Sequence, residues 1–386
     1  MTMEIPRNNV SRPADIIEPD LQLVAWEITR SCNLFCAHCR ASAHQGSYEG
    51  ELTTEECFRV IDEIREVGKP MIILTGGEPL LRPDVLQLAQ YGADKGLRMV
   101  MGTNGTLVTE EMAARLKAIP IACVGVSLDF PSAARHDDFR CMVGAFDVAM
   151  SGINNARRAG IDIQINSTIS KMNVAYLGEL VSLALQAGAK SFHPFLLVPT
   201  GRGKDLESVE LSPQEYEETL NWICAKADEL RGKLAIRPIC APHFMRITRE
   251  RQRQSGQGAP AVSHPAAGGH PGHSFTRGCL AGTGFSFISH LGIVQGCGYL
   301  DVEAGDLKKS SFGQIWKRSV LFNDLRTLGN YKGKCGLCEY KRICGGCRAR
   351  AYETNGDYLE AEPYCVYQPP IKSGAARPGD LSRIKN

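Results

Sequence analysis

Apolar and polar positions along the chain fall into two periods that alternate repeatedly. A β-rich apolar run from Leu21 to Ile28 leads into a loop, and the next apolar positions, Phe58, Ile61 and Ile64, recur at helical spacing. Thr53 with Glu56 three residues on marks the start of that helix as a capping box, and Gly68 marks its end. The unit then recurs as strand Met71 to Leu74, helix Asp84 to Lys95 closed by Gly96, strand Arg98 to Met101, helix Glu110 to Lys117 and strand Ile121 to Leu128. Further rounds follow: helix Phe146 to Ala159 before Gly160, strand Ile161 to Ile169 before a helix capped by Asn173, and strand Ser191 to Val198 before the helix Pro213 to Leu230. This alternation predicts an α/β fold with a parallel sheet, and about six βα units make a partial barrel rather than a closed eight-fold one.

The periodicity stops between Arg249 and Gly278, a stretch rich in Gly, Pro, Ser, Gln and His that reads as a linker or mobile loop. His264, His270 and His273 lie in it; solvated loop histidines are the ordinary reading, and a ligand role for one of them stays open. From Cys279 to Cys365 the pattern is short, Gly-punctuated and cysteine-rich, with too little apolar sequence for an independent core, so metal must supply part of the folding energy there. The expected organisation is an arm over 1–20, a partial barrel over 21–240, the linker over 249–278, a cysteine-rich domain over 279–367 and a tail over 368–386.

Charge narrows the function classes. Lys and Arg total 44 against 42 Asp and Glu, a net +2 spread along the chain, which is unlike the basic footprint of a nucleic-acid binder. No window is apolar enough for a signal peptide or a bilayer span, so a cytoplasmic protein without a membrane partner is expected. Fifteen cysteines in a reducing compartment are not a disulfide framework and must be core thiols, metal ligands or catalytic groups. Cys57, Cys123, Cys141, Cys224 and Cys240 stand alone in regular segments and read as small buried hydrophobes.

The others cluster. Cys32-x3-Cys36-x2-Cys39 follows the first strand, and three thiolates on one loop leave one iron of a 4Fe-4S cluster open to chelate a small molecule. Zinc would ask for a closed set of four ligands, and His38, adjacent to Cys39, is a poor fourth. Polar residues recur where the later strands end: Thr75-Gly76-Gly77-Glu78-Pro79, Thr103-Asn104-Gly105, Ser127-Leu128-Asp129, and Asn166 with Thr168. Barrel active sites are built at those ends. The two glycines would let backbone approach a ligand closely, and Glu78 offers an acceptor for an ammonium group.

These motifs resemble the radical S-adenosylmethionine (SAM) superfamily over roughly residues 20 to 240. The resemblance implies SAM on the open iron of a 4Fe-4S cluster, its methionyl amine held by Gly76, Gly77, Glu78 and Pro79. Asn104, Ser127, Asp129 and Asn166 would meet its other polar groups, and the strand-six backbone near Leu197 its adenine. The later pattern, Cys279, Gly292-x4-Cys297, Cys335-x2-Cys338-x5-Cys344-x2-Cys347 and Cys365, is similar to the SPASM extension, which carries two auxiliary 4Fe-4S clusters. That similarity assigns Cys335, Cys338, Cys344 and Cys365 to one cluster and Cys279, Cys297 and Cys347 to the other. The second set is one ligand short, leaving either a residue such as His273 to complete it or an open iron. The spacing departs from the commoner SPASM pattern in having two rather than three residues between Cys344 and Cys347.

At finer grain, Trp26-Glu27-Ile28-Thr29-Arg30-Ser31, Cys39-Arg40-Ala41-Ser42-Ala43, Gly282-Thr283-Gly284-Phe285, Gln295-Gly296-Cys297-Gly298-Tyr299 and Cys344-Gly345-Gly346-Cys347-Arg348-Ala349-Arg350-Ala351 resemble the heme b synthases of the siroheme-dependent heme pathway. This implies oxidative decarboxylation of two propionates of an iron-porphyrin substrate, iron-coproporphyrin III, to vinyl groups, with a flavodoxin or ferredoxin as electron donor. Arg40, Arg202, Arg348 and Arg350 are candidate partners for the substrate carboxylates. A SPASM enzyme that modifies a ribosomal peptide shares both cysteine sets and is the main alternative. A non-catalytic electron carrier would have no use for Gly76 to Pro79.

Overall fold

The computed structural model describes residues 15–254 and 277–370. The linker histidines His264, His270 and His273, with most of the linker, arm and tail, lie outside those residues. One ten-stranded sheet organises the chain: β1 (Leu23–Thr29), β2 (Met71–Gly76), β3 (Arg98–Thr103), β4 (Ile121–Ser127), β5 (Ile163–Ile169), β6 (Ser191–Leu196), β7 (Ala235–Ile236), β8 (Phe285–Ile288), β9 (Ile293–Cys297) and β10 (Leu300–Asp306). Its order is β10-β9-β8-β1-β2-β3-β4-β5-β6-β7. β1 to β7 pair in parallel in chain order, which is the partial barrel that the alternating pattern predicts.

The first crossover shows how local sequence sets the elements. Thr53 and Glu56 form the reciprocal capping box, worth about 1 kcal/mol, and the helix Thr54–Val67 turns Cys57, Val60, Ile61 and Ile64 onto the sheet. Asn173 behaves differently from the expected helix cap. Its amide donates to the carbonyls of Asp129 (2.8 Å) and Thr168 (2.7 Å), tying the loops after β4 and β5 together, and the helix Leu177–Gln186 begins only after an intervening 3-10 turn.

The cysteine-rich segment is built onto the free edge of β1. β8 pairs parallel to it, Leu23 opposite Phe285 and Trp26 opposite Ile288, and β9 and β10 continue antiparallel. Phe312, Trp316, Phe322 and Leu325 belong to the same continuous core as Val24, Trp26, Ile61 and Ile64. Ahead of the cysteine-rich segment, two α-helices among the described residues lie outside the expected elements: Ala133–Arg140, which has no apolar stripe, and His243–Gln254, which runs into the expected linker. No helix among the described residues is long and apolar enough to cross a membrane.

Candidate active site

β1 delivers the first cysteine loop at its C-terminal end. The loop is closed by Cys32 N–H donating to the His44 carbonyl (3.0 Å) and by turns from Cys39 to Cys36 and from Ser42 to Cys39 (both 3.2 Å). Cys32 and Cys36 are buried with Leu34, Ala41 and Ala43 in a small apolar cluster of their own, and Cys39 packs against it. All three cysteines line one cavity of about 240 Å³ at the C-terminal ends of the barrel strands.

Donors converge on the sulfurs: Leu34 N–H on Cys32 (3.4 Å), Ala43 N–H on Cys39 (3.3 Å) and Arg140 Nη1 on Cys36 (3.7 Å). Burial pushes the Cys32 thiol up to about 12 and raises Cys36 as well, so neither ionises readily alone, and bound iron would hold them as thiolates. Three soft ligands on one loop, each provided with a donor, suit a 4Fe-4S cluster with one open iron.

The two glycines where β2 ends have a packing reason beyond ligand access. A Cβ on Gly76 would stand 2.1 Å from the Thr29 carbonyl oxygen, and one on Gly77 2.3 Å from that of Ser31. Only glycine lets this turn lie against the base of the cysteine loop, where Gly77 and Glu78 N–H donate to Thr29 and Ser31 (both 2.8 Å). Gly76 and Gly77 then face the cavity, while Pro79 is buried and opens a 3-10 turn. The Glu78 carboxylate is fully buried and already engaged by Thr103 Oγ1 (2.8 and 2.9 Å), Asn104 N–H (2.8 Å) and Leu80 N–H (3.1 Å). Burial raises it to about 7 despite those donors.

Asn104, Ser127 and Asn166 line the cavity, joined by Thr103, Ser167, Thr168 and Phe195. Asn104 also spans to Asn33 Oδ1 (2.8 Å), bracing the cysteine loop. Asp129 sits behind the wall: its carboxylate accepts from Thr168 N–H (2.7 Å) and from Arg140 (2.5 Å to Nη2). Burial alone would raise Asp129, but Arg140 holds it below the usual carboxylate range. Its part here is to aim Arg140 at Cys36. Leu197 is buried and its amide groups are spent, N–H on Ile169 (3.0 Å) and carbonyl on Arg350 (3.0 Å), so on strand six it is Phe195 that reaches the cavity. Sequence reading missed Arg140, because Ala133–Arg140 is a polar helix without an apolar stripe.

The four candidate carboxylate-binding arginines all have partners within the protein. Arg40 pairs with Glu27 (2.5 Å), donates to the Gly298 carbonyl (3.1 Å) and stacks on Phe287. Glu27 would be raised by burial, but Arg40, His290 and Arg30 outweigh this and hold it at about 2. Arg202 donates to the carbonyls of Cys36 (3.0 Å) and Ala43 (2.8 Å). Arg348 and Arg350 are each 1% exposed; the first binds the carbonyls of Tyr358 and Glu360, the second those of Leu197 and Cys240. Arg348 and Arg350, which satisfy so many backbone carbonyls, are structural, whereas Arg40 also lines the cavity.

The later cysteines separate in space. Cys335, Cys338, Cys344 and Cys365 line one small cavity, with N–H donors on three sulfurs: Glu362 on Cys335 (3.3 Å), Tyr340 on Cys338 (3.4 Å) and Gly346 on Cys344 (3.5 Å). Cys297 ends β9 and accepts from Tyr299 N–H (3.5 Å), while Cys347 caps the helix Arg348–Asn355. Cys279 N–H donates to the Cys344 carbonyl (3.0 Å), which places the two sets side by side. Tyr299 lines the large cavity, so one wall of that cavity backs directly onto Cys297.

The radical SAM superfamily model matches residues 26–184. The chain is 47% identical over 348 residues to an AdoMet-dependent heme synthase of Methanosarcina barkeri, covering 90% of this chain and 97% of the relative. It is 47% identical over 351 residues to one of Nitratidesulfovibrio vulgaris, covering 91% and 94%. Among solved structures, Streptococcus suis SuiB bound to S-adenosylmethionine superposes with a TM-score of 0.68 at 15% identity, over 91% of this chain and 78% of that one.

Proposed function

The chain belongs to the radical SAM superfamily, and we propose that it converts iron-coproporphyrin III to heme b by oxidative decarboxylation of two propionates. The supporting observation is the shared wall of the cavity. Cys32, Cys36 and Cys39 line one side, and Tyr299, whose N–H is bonded to Cys297, lines another.

A 4Fe-4S cluster on Cys32, Cys36 and Cys39 would supply the electron that splits a C–S bond of SAM, and an auxiliary cluster on the C-terminal cysteines would accept the electron left over. The balance explains why both are wanted. Removing a hydrogen atom from the propionate carbon next to CH2-carboxylate leaves a carbon radical. Breaking the C–C bond to the carboxylate then gives the alkene, CO2 and one electron, which must leave. The chain's residues hold the cysteine loop against the Gly76-Gly77 turn, set polar groups of Asn104, Ser127 and Asn166 around the cavity, and surround the sulfurs with donors. The electron donor is a flavodoxin or a ferredoxin, and the reaction runs in the cytoplasm.

Substrate deuterated at that propionate carbon tests the reading. Deuterium should appear in 5′-deoxyadenosine; unlabelled 5′-deoxyadenosine during vinyl formation would overturn it. A peptide-modifying enzyme would yield no labelled nucleoside at all.

A further inference from the structure

Cys240, which stands alone in the sequence, is not alone in the fold. The residue before it pairs with β6, Phe195 opposite Ile239, with Leu196 N–H on the Ile239 carbonyl (3.1 Å). Cys240 itself takes a left-handed backbone, φ 57°, one of three non-glycine residues to do so among those described. That conformation is unfavourable for a side chain and persists only when its surroundings hold it. Here two donors clamp its carbonyl, Tyr216 Oη at 2.7 Å and Arg350 Nη1 at 3.3 Å.

Those contacts bring Cys240 to the incomplete cysteine set. Arg350 lies on the helix that Cys347 caps. Gly278, next to Cys279, is pressed so close to Pro242 that an added Cβ would stand 2.7 Å from its Cα. An added Cβ on Gly296, next to Cys297, would stand 3.7 Å from that of Ala281, two residues after Cys279, so Cys297 belongs to the same neighbourhood. Cys279, Cys297 and Cys347, whose segments meet around Cys240, are the three left over once Cys335, Cys338, Cys344 and Cys365 share their own cavity.

We propose that Cys240 is the fourth thiolate of the auxiliary cluster held by Cys279, Cys297 and Cys347. Four thiolates would leave such a cluster no open iron for substrate or intermediate, and behind Tyr299 it would serve as the sink for the electron of each decarboxylation. The inference rests on the two-auxiliary-cluster reading of the chain.

The test uses the full-length chain with Cys32, Cys36 and Cys39 replaced by Ala, so that only auxiliary clusters contribute to the spectra. This parent should hold about eight irons when reconstituted, and its reduced EPR spectrum should be indifferent to cyanide. Adding Cys240→Ala should either halve the iron or create a cyanide-responsive signal, while the other cluster's signal persists and reports an intact fold. Cys240→Ser repeats the comparison should the alanine variant fold poorly. A parent that already responds to cyanide, or Cys240 variants with the parent's iron content and cyanide indifference, would overturn the assignment. A parent with only about four irons would instead remove the two-cluster premise, and the assignment with it.

Discussion

Arg140 donates to the sulfur of Cys36 across 3.7 Å while its other nitrogens grip the fully buried Asp129. A cation on a cluster ligand favours the reduced, more negative state, so Arg140→Gln should move the reduction potential of the SAM-binding cluster to more negative values in an EPR-monitored redox titration. The same change strands the Asp129 carboxylate and should cost about 3–5 kcal/mol. Adding Asp129→Asn should recover most of that stability and leave the potential shift in place.

Gly77→Ala should weaken the protein and its SAM site together. The new methyl meets the Ser31 and Arg30 carbonyl oxygens at 2.3 and 2.5 Å, so the base of the cysteine loop must move, at about 1–3 kcal/mol. Denaturant unfolding of the cluster-free protein measures the loss, and SAM binding to the reconstituted protein should weaken in parallel. Gly68→Ala is the control, since nothing lies within 4 Å of the added atom and its backbone is extended. Its effect should stay within about 0.5 kcal/mol.

His136 should contribute a pH dependence to stability. It accepts the Asp129 N–H at Nδ1 (3.2 Å), and burial lowers it to about 4 against the pull of Asp129. The unfolded chain takes the proton near 6.5 and the folded one only near 4, so the stabilisation is present above 6.5 and is lost as pH falls from there to about 4. The loss is on the order of 3 kcal/mol, and His136→Gln, which keeps an acceptor without titrating, should remove it. Urea unfolding of both proteins at several pH values between 4 and 8 makes the comparison, and an unchanged slope in the variant would contradict it.

The barrel is legible because each βα unit carries its own period and punctuation, as Thr53, Glu56 and Gly68 show around Thr54–Val67. The pairing of β8 with β1 is not, because four residues, Phe285 to Ile288, find a partner some 260 positions earlier and carry no local mark of it. At the site, spacing alone singles out Cys32, Cys36 and Cys39, and all three reach one cavity. Arg140 and Cys240 escape notice because their value comes from neighbours distant in sequence, Cys36 for one and Cys279, Cys297 and Cys347 for the other. Arg348 and Arg350 are misjudged for a related reason. Whether a guanidinium faces a substrate or a set of carbonyls depends on which backbone closes over it, and here Tyr358, Glu360, Leu197 and Cys240 do.

The most direct measurement is the product balance with iron-coproporphyrin III, SAM and a strong reductant under anaerobic conditions, using the fully reconstituted protein. Each heme b formed should be accompanied by about two CO2 and about two 5′-deoxyadenosine, one of each per propionate, if decarboxylation proceeds as derived. Sustained 5′-deoxyadenosine formation with the porphyrin unchanged and no CO2 released would contradict the account.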